Sequence, residues 1–295
     1  MTALRLGTRS SLLARTQTST VAAALRRKGV DVEVVPMTSH GDTSRASLTS
    51  LGGTGVFAAA LREALLAGEC DAVVHSFKDL PTAAHPGLVV VATPTRADHR
   101  DVLCASVSLS ELPPGARIGT GSPRRRAQLL SVREDLDVVD IRGNVDTRLA
   151  MVTDGELDGV VLAAAGLARI GRDGPFGETF EWPTAPAQGA LAIEARTDDE
   201  ETAALLRVVH DTRTHQAVTI ERAFLGELEA GCAAPVAATA TVRFERVSLR
   251  AVAYSADGQR RHGSRVDDRL GDPTEIGVRA ARVLLDAGVR EWLDA

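Results

Sequence analysis

Arginines follow a predicted strand at a point where a helix is predicted to begin. The segment 119–129 combines a turn of small residues with a helix start at Pro123. It continues with three successive arginines, Arg124, Arg125 and Arg126. Cations are unfavourable at this end of a helix, because its free N–H groups and its dipole favour anions. Their placement indicates an anion-binding site, and the alternative is a solvated basic turn.

Other predicted strands also end near arginines. These arginines lie in three further segments of the chain and are Arg9, Arg142, Arg148 and Arg169. The planar guanidinium group binds a carboxylate through two parallel hydrogen bonds. Arginines at several strand ends therefore predict a cleft that binds a ligand with many carboxylates. On the residues alone, phosphates remain an alternative.

An acid follows one of the two lysines of the chain. Lys78 and Asp79 lie in the segment His-Ser-Phe-Lys-Asp-Leu-Pro, directly after a predicted strand at 72–76. Arginines nearby would keep this carboxylate ionised, so that it can stabilise a developing cation or accept a proton. The alternative is an aspartate that only caps a helix or a turn.

Composition excludes several classes of function. The net charge of −5 argues against a general nucleic-acid binder. The three cysteines, Cys70, Cys104 and Cys232, are widely spaced and odd in number, which argues against disulfides and a zinc site. Cys232 lies in a glycine-rich turn, where it is either a small buried hydrophobe or a residue available for chemistry. We expect no metal.

Two nucleotide-binding patterns are incomplete. Gly119 and Gly121, with Asp140 some twenty residues later, resemble part of a dinucleotide fingerprint, but Arg124 replaces the third glycine. The glycine-rich loop 51–57 lacks the Gly-Lys-[Ser/Thr] of a phosphate loop. The N-terminus has no apolar signal core, and no apolar run reaches 18 residues, which predicts a cytoplasmic protein that does not bind membranes.

Short apolar runs alternate with amphipathic stretches, which predicts α/β lobes with mostly parallel sheets. Predicted strands lie at 4–7, 32–35, 72–76, 88–92, 117–120, 138–141, 159–164, 190–194, 239–244 and 247–254. Predicted helices lie at 10–28, 56–67, 123–132, 145–153, 217–228 and 275–287. The segments 68–74 and 155–161 resemble each other, which favours two related lobes. Convergent helix-to-strand turns are the alternative, and the tail predicts a small α+β domain.

Eight segments, in order along the chain, resemble the porphobilinogen deaminase (hydroxymethylbilane synthase) family. They are 7–14, 39–42, 74–81, 119–125, 142–149, 165–169, 187–191 and 229–235. The combination of Lys-Asp-Leu-Pro, Arg-Gly-Asn and Gly-Cys is specific for this family. The resemblance implies two lobes like those of periplasmic binding proteins and a small C-terminal domain. We expect domain 1 at 1–95 with 190–208, domain 2 at 98–185 and the third domain at 213–295.

The resemblance also implies the reaction. A dipyrromethane cofactor is attached covalently through Cys232, and four porphobilinogen molecules are deaminated and added to it before hydrolysis releases hydroxymethylbilane. Each pyrrole carries an acetate and a propionate, which accounts for an arginine-lined cleft. We expect a transferase that works as a cytoplasmic monomer on this small-molecule substrate.

Site residues follow from the same resemblance, with Asp79 as the catalytic aspartate. The expected cofactor-binding residues are Asp42, Lys78, Thr120, Ser122, Arg124, Arg125, Gly189 and Cys232. The expected substrate-binding residues are Arg9, Ser11, Gln17, Phe57, Arg142, Arg148, Arg169 and Gln188.

The chain departs from the family pattern at several positions. Ser50 and Thr54 replace lysines of the glycine-rich loop, Leu12 replaces a proline, and Asp140 replaces a serine. An anion at Asp140 weakens carboxylate binding unless Arg142 or another neighbour pairs with it. The competing functional hypothesis is a non-catalytic, two-lobed module that binds carboxylates or senses them.

Overall fold

In the computed structural model, the described residues are 3–37, 55–174, 177–229 and 234–293, and the side chains of 55–57 also lie outside the description. The chain divides into two compact units. The first comprises Met1–Ala97 and Gly189–Gln216, and the second comprises Asp98–Gln188 and Ala217–Ala295. The three-domain division expected from the sequence stays a prediction.

The first unit is built on a five-stranded sheet. Its strands are β1 (Leu4–Arg9), β2 (Val32–Met37), β3 (Ala72–Ser76), β4 (Leu88–Ala92) and β10 (Leu191–Arg196). The spatial order is β2-β1-β3-β10-β4, with β10 antiparallel to both of its neighbours. Its helices are α1 (Leu12–Arg27), α2 (Gly55–Leu66) and α6 (Glu200–Arg207).

The second unit contains a sheet with the same spatial order and strand directions. Its strands are β5 (Asp101–Ala105), β6 (Arg117–Gly119), β7 (Asp137–Val139), β8 (Gly159–Ala163) and β9 (Glu178–Phe180). The order β7-β6-β8-β5-β9 again places one reversed strand, β5, in the fourth position. Its helices are α3 (Pro123–Leu130), α4 (Val145–Thr153) and α5 (Ala164–Arg169). The predicted α/β class with mixed, mostly parallel sheets is confirmed.

The register shows that the two sheets correspond residue by residue. Gly7 on β1 pairs with Val73 of β3, and Gly119 on β6 pairs with Val160 of β8. The sequence echo therefore falls at equivalent positions. At the carboxyl ends of β3 and β8, Leu191 of β10 pairs with Ser76, and Asp101 of β5 pairs with Ala163. Leu191 and Asp101 are therefore equivalent positions in the two lobes.

The rest of the second unit is the C-terminal α+β part. Strands β11 (Val236–Arg243), β12 (Arg246–Tyr254) and β13 (Arg261–Arg269) form an antiparallel sheet. Helices α7 (Thr212–Glu227), of which the part from Ala217 belongs to this unit, and α8 (Pro273–Asp286) pack on it, and α9 (Arg290–Leu293) follows. The buried core contains Ile220 and Phe224 from α7, Leu249 from the sheet and Leu284 from α8.

A turn of this part lies against the C-terminal end of α3. Gly258 has a φ of +76°, and a Cβ at this residue would come within 2.8 Å of Ser131 N. Glycine therefore suits both the left-handed backbone and the close approach. Ala127 of α3 packs in a small buried cluster with Ala237 and Tyr254. The helix that carries Arg124 and Arg125 is held from this side.

The sequence analysis missed several elements and misplaced some boundaries. It predicted neither the strands β5, β9 and β13 nor the helices α5, α6 and α9. Strand β5 lacked a recognisable pattern because it begins with an ionisable residue, Asp101, and is otherwise a short apolar run. Helix α7 begins five residues before the predicted position 217.

Candidate active site

Asp79 lies in a 3₁₀ turn (Phe77–Asp79) that directly follows β3. Pro81 ends this turn, because the residue before a proline avoids the helical conformation. Leu80 accordingly has extended angles, with φ −82° and ψ 132°. Lys78 and Asp79 are both half-buried, so the turn keeps an acid and a cation within reach of a ligand.

Hydrogen bonds hold the strand end that carries this turn. Gln17 Nε2 donates to Ser76 Oγ at 2.8 Å, and Phe77 N donates to Ala190 O at 3.1 Å. The structure therefore places Gln17, an expected substrate-binding residue, with its amide against Ser76. Its role toward substrate stays a prediction.

A buried ionic cluster lies deeper in the same lobe. Glu194 on β10 accepts hydrogen bonds from Arg62 Nε at 2.9 Å and Arg62 Nη2 at 2.7 Å, and His75 Nε2 lies 3.1 Å from its Oε2. Burial raises the pKa of Glu194, but the hydrogen bonds and charges of His75 and Arg62 outweigh burial and lower it to about 2. The sequence analysis did not single out this cluster.

Arg9 and Ser11 lie at the end of β1 and the start of α1. Arg9 is the last residue of the strand and is half-buried. Ser11 is the N-cap of α1, and its hydroxyl accepts a hydrogen bond from Ala14 N at 3.3 Å. Both residues therefore lie at the carboxyl edge of the first sheet, where open α/β sheets bind ligands.

The second lobe buries Arg124 and Arg125. They are 4% and 6% exposed, and both contact the fully buried carboxylate of Asp101. Burial raises the pKa of Asp101, but the charges of Arg124 and Arg125 outweigh it and hold the pKa far below its ordinary value. The alternative of a solvated basic turn is wrong for these two arginines. Only Arg126 is exposed, and its Nη1 donates to Val138 O.

Arg142 and Arg148 extend this positive group. Arg142 Nη2 donates to Asp140 Oδ2 at 3.1 Å, so the carboxylate that departs from the family pattern has a partner. Burial lowers the pKa of Arg148, and the charges of Arg125 and Arg142 lower it further, while Asp140 raises it. Like charges lower a pKa in this way only when they lie near one another.

The other expected residues of the second lobe lie at strand and helix ends. Ser122 is the N-cap of α3 and accepts from Arg125 N at 3.4 Å, and Thr120 Oγ1 accepts from Ser122 N at 3.2 Å. Gln188 Nε2 donates to Asp101 Oδ1 at 2.8 Å. Arg169 is the last residue of α5, and burial lowers its pKa. Gly189 belongs to the first unit and has a φ of 86°.

Four positions singled out in the sequence lie outside the described residues. They are Asp42, Ser50, Thr54 and Cys232. Phe57 belongs to α2, and its side chain is also outside the description. Their roles stay predictions. Among the described residues, no group of three or more metal-ligating side chains is found, and no helix is long and apolar enough to cross a membrane.

The described arginines have the chemistry of a polycarboxylate site. Arg124, Arg125, Arg142 and Arg148 outnumber Asp101 and Asp140, the carboxylates that pair with them. Arg124 Nε is buried and has no hydrogen-bond partner among the described residues. A buried cationic donor without a partner favours an anionic ligand. This donor set fits a dipyrromethane, whose rings carry acetate and propionate side chains.

Comparisons with known proteins agree with this chemistry. Residues 4–204 match the sequence model of the porphobilinogen deaminase dipyromethane cofactor binding domain, and residues 215–286 match that of the porphobilinogen deaminase C-terminal domain. The chain belongs to the porphobilinogen deaminase family. It is an enzyme of porphyrin biosynthesis, a transferase that polymerises porphobilinogen with a dipyrromethane cofactor. The family assignment favours this function over the non-catalytic binding module.

Individual relatives cover most of the chain. The porphobilinogen deaminase of Leifsonia xyli subsp. xyli is 58% identical over 266 residues, which are 87% of this chain and 81% of the relative. That of Cutibacterium acnes is 48% identical and covers 100% of this chain and 98% of its own length. Among solved structures, the methionine binding protein MetQ covers 75% of this chain and 94% of its own, with 14% identity and a TM-score of 0.46.

Proposed function

We propose that a carboxylate in the first lobe of this enzyme catalyses the reaction and that a set of cations in the second lobe binds the ligand. Asp79 in the first lobe is the catalytic residue. Arg124, Arg125, Arg142 and Arg148 in the second lobe bind the acetates and propionates. These four arginines outnumber the two carboxylates that pair with them, Asp101 and Asp140, and this local excess carries the proposal.

Asp79 acts on the reacting pyrrole. Its carboxylate accepts a hydrogen bond from the pyrrole N–H and stabilises the positive charge that develops as ammonia leaves the aminomethyl carbon. The 3₁₀ turn holds this carboxylate half-buried, where its electrostatic effect is less screened than in water. Lys78 assists as a compact cation that contacts a carboxylate of the ligand.

The arginines bind the side chains of the tetrapyrrole and orient it. Arg9 and Ser11 add contacts at the edge of the first sheet, and Arg169 and Gln188 add contacts in the second unit. Ser122, Thr120 and Gly189 contribute to the cofactor site, together with Asp42. Phe57 packs near the reacting rings, and Gln17 helps to hold the substrate through the strand that ends at Ser76.

The cofactor is held by both covalent and ionic contacts. Cys232 attaches it through a thioether, and Arg124 and Arg125 pair with its carboxylates. When bound, the dipyrromethane supplies the primer to which porphobilinogen is added four times, before hydrolysis releases hydroxymethylbilane. The enzyme works in the cytoplasm as a monomer, without nucleic acid or membrane partners.

The mass of the intact protein tests this assignment. We expect the purified chain to exceed its sequence mass by two linked pyrrole units, and we expect Cys232→Ser to lack the addition and to release no ammonia from porphobilinogen. Cys104→Ala is the matched control, since Cys104 is buried in β5, and it should retain the added mass. An unmodified wild-type chain that is fully active would overturn the proposal.

A further inference from the structure

Asp101 is a fully buried carboxylate at the edge of the second lobe where ligands bind. It is 0% exposed and is the first residue of β5. Its partner in the sheet is Ala163, the last residue of β8, so that Asp101 lies level with the carboxyl ends of the parallel strands. Open α/β sheets bind their ligands at this edge.

Both oxygens of Asp101 are occupied by donors. Oδ1 accepts from Arg125 Nη2 at 2.7 Å, from Arg125 Nε at 3.0 Å and from Gln188 Nε2 at 2.8 Å. Oδ2 accepts from Arg124 Nη1 at 2.7 Å and from Trp182 Nε1 at 3.3 Å. Three of the residues that donate to this carboxylate are therefore residues that we propose to bind cofactor or substrate.

These contacts give the two arginines different geometries. Arg125 grips Asp101 with two nitrogens, and its third, Nη1, donates to Val161 O at 2.9 Å. Arg124 is held through one nitrogen, because its Nη1 donates both to Asp101 and to Gln128 Oε1, the latter at 2.6 Å. Its Nε is buried without a hydrogen-bond partner among the described residues. Each nitrogen of Arg125 thus has a protein acceptor, whereas the Nε of Arg124 is a donor whose partner is missing among the described residues.

The first lobe shows that the fold itself does not require this carboxylate. The equivalent position on β10 is Leu191, which is 5% exposed and pairs with the last residue of β3 in the same register. A buried apolar side chain therefore completes the same sheet. Burying an ion group is costly, and apolar replacements are often at least as stable. The carboxylate at position 101 is best explained by the arginines that it holds.

We propose that Asp101 is a positioning residue for the carboxylate-binding site. It fixes Arg125 and the Nη1 of Arg124. The Nε of Arg124 is thereby directed to a carboxylate of the cofactor or growing chain. One carboxylate for two guanidinium groups also leaves a net positive charge for that ligand. This inference rests on the proposed function of the arginines.

The test compares Asp101→Asn with a matched control, Glu194→Gln. Both variants remove a buried carboxylate from the reversed strand of a lobe. Each leaves a buried arginine without its carboxylate partner, Arg124 in one case and Arg62 in the other. Glu194, however, pairs with Val73 in the middle of the sheet and lies away from the proposed site. Ammonia release at varied porphobilinogen concentration, thermal unfolding and the mass of the added cofactor are measured for each.

We expect both variants to be destabilised, but only Asp101→Asn to lose ligand affinity. Its KM should rise about tenfold or more, because Arg124 is no longer held in the binding geometry, while kcat per cofactor-loaded chain changes much less. The fraction of chains that carry the two-pyrrole mass should also fall. Equal KM values in the two variants would show that Asp101 only stabilises the fold, and the proposal would be wrong.

A double variant covers the case in which Asp101→Asn does not fold. Asp101→Leu with Arg125→Leu replaces one of the two ion pairs by apolar side chains, as at Leu191. It leaves the net charge of the cluster unchanged and Arg124 still bonded to Gln128 Oε1, so it should fold. It should still show a raised KM, since the carboxylate that holds Arg124 is gone. A wild-type KM would overturn the proposal. A wild-type chain without added mass and without ammonia release would instead contradict the proposed function itself.

Discussion

The two lobes share one frame, which is the strand order and register of their five-stranded sheets. They differ in the residues at the edge of that sheet. Arg5 N and Arg117 N donate to the equivalent carboxylates Asp71 and Asp158 at 2.8 and 2.7 Å. Arg5 Nη1 and Arg117 Nη1 donate to Glu69 O and to the equivalent carbonyl of residue 156 at 3.1 and 3.0 Å. Structural polar contacts thus recur in both lobes, and the contacts that do not recur mark the places where the lobes differ.

The segments after β3 and β8 are the first such difference. In the first lobe, β3 leads into the 3₁₀ turn that carries Asp79, and Pro81 stops the turn. In the second lobe, β8 leads into α5, where Gly166 occupies the position equivalent to Asp79. The proposed catalytic aspartate therefore belongs to one lobe only.

The buried carboxylates are the second difference. Glu194 lies in the middle of the first sheet, where its equivalent in the second lobe is Cys104. Asp101 lies at the edge of the second sheet, where its equivalent is Leu191. A charge in mid-sheet can only join elements together, whereas a charge at the binding edge also fixes the groups that meet the ligand.

The largest effect is expected for Asp79, which has no equivalent carboxylate in the second lobe. Asp79→Asn should lower kcat by about 10³-fold, because an uncharged amide cannot stabilise the developing cation, while KM changes little. Steady-state ammonia release measures both constants. Asp71→Asn removes the same charge from the frame that the lobes share, and it should keep kcat near wild type. A wild-type kcat for Asp79→Asn would contradict the catalytic role.

The next largest effect is expected when a carboxylate is introduced into the first lobe at Leu191, the position equivalent to Asp101. Leu191→Asp buries a carboxylate without the arginines that Asp101 has, and should cost about 3 kcal/mol, or roughly 10 °C in Tm. Calorimetry measures this loss. Burial raises the pKa of such a carboxyl group, so the deficit should shrink as the pH falls from 7 to about 4 and the group is neutralised. A Tm equal to wild type would mean that the edge of the first lobe tolerates charge, and would remove the contrast.

The smallest expected effect concerns the pH dependence of the first lobe. The pKa of Glu194 is about 2 in the folded chain, against an ordinary value of 4.5. Its stabilisation is therefore present above about pH 4.5 and is lost as the pH falls toward 2. Unfolding by urea at pH 6 and pH 3 should show a loss of stability that is smaller in Glu194→Gln than in the wild type by on the order of 2 kcal/mol. An identical pH dependence in that variant would refute the assignment to Glu194.

Much of the frame was predictable from the sequence. Strands β3 and β4 and helix α4 begin and end where the sequence analysis placed them, because apolar runs bounded by glycine and capping residues have a clear local signal. The equivalence of 68–74 and 155–161 was also visible as sequence. Strand β5 was not predicted, since a short run that begins with Asp101 has no periodicity to detect.

Local chemistry was likewise set by the sequence. Pro123 and Ser122 determine where α3 begins, and Pro81 determines that the chain after Asp79 leaves the helical conformation. The family pattern of segments fixed the reaction class. These features are local because each depends on the covalent geometry or hydrogen bonding of a few neighbouring residues.

Only the tertiary structure decided what surrounds the arginines. Asp101 precedes Arg124 by 23 positions, and Gln188 follows Asp101 by 87, so no local pattern joins them. Strand β5, helix α3 and the segment before β10 meet only when the sheet is assembled. The electrostatic partner of a buried charge depends on distance in space, and the sequence by itself does not contain that distance.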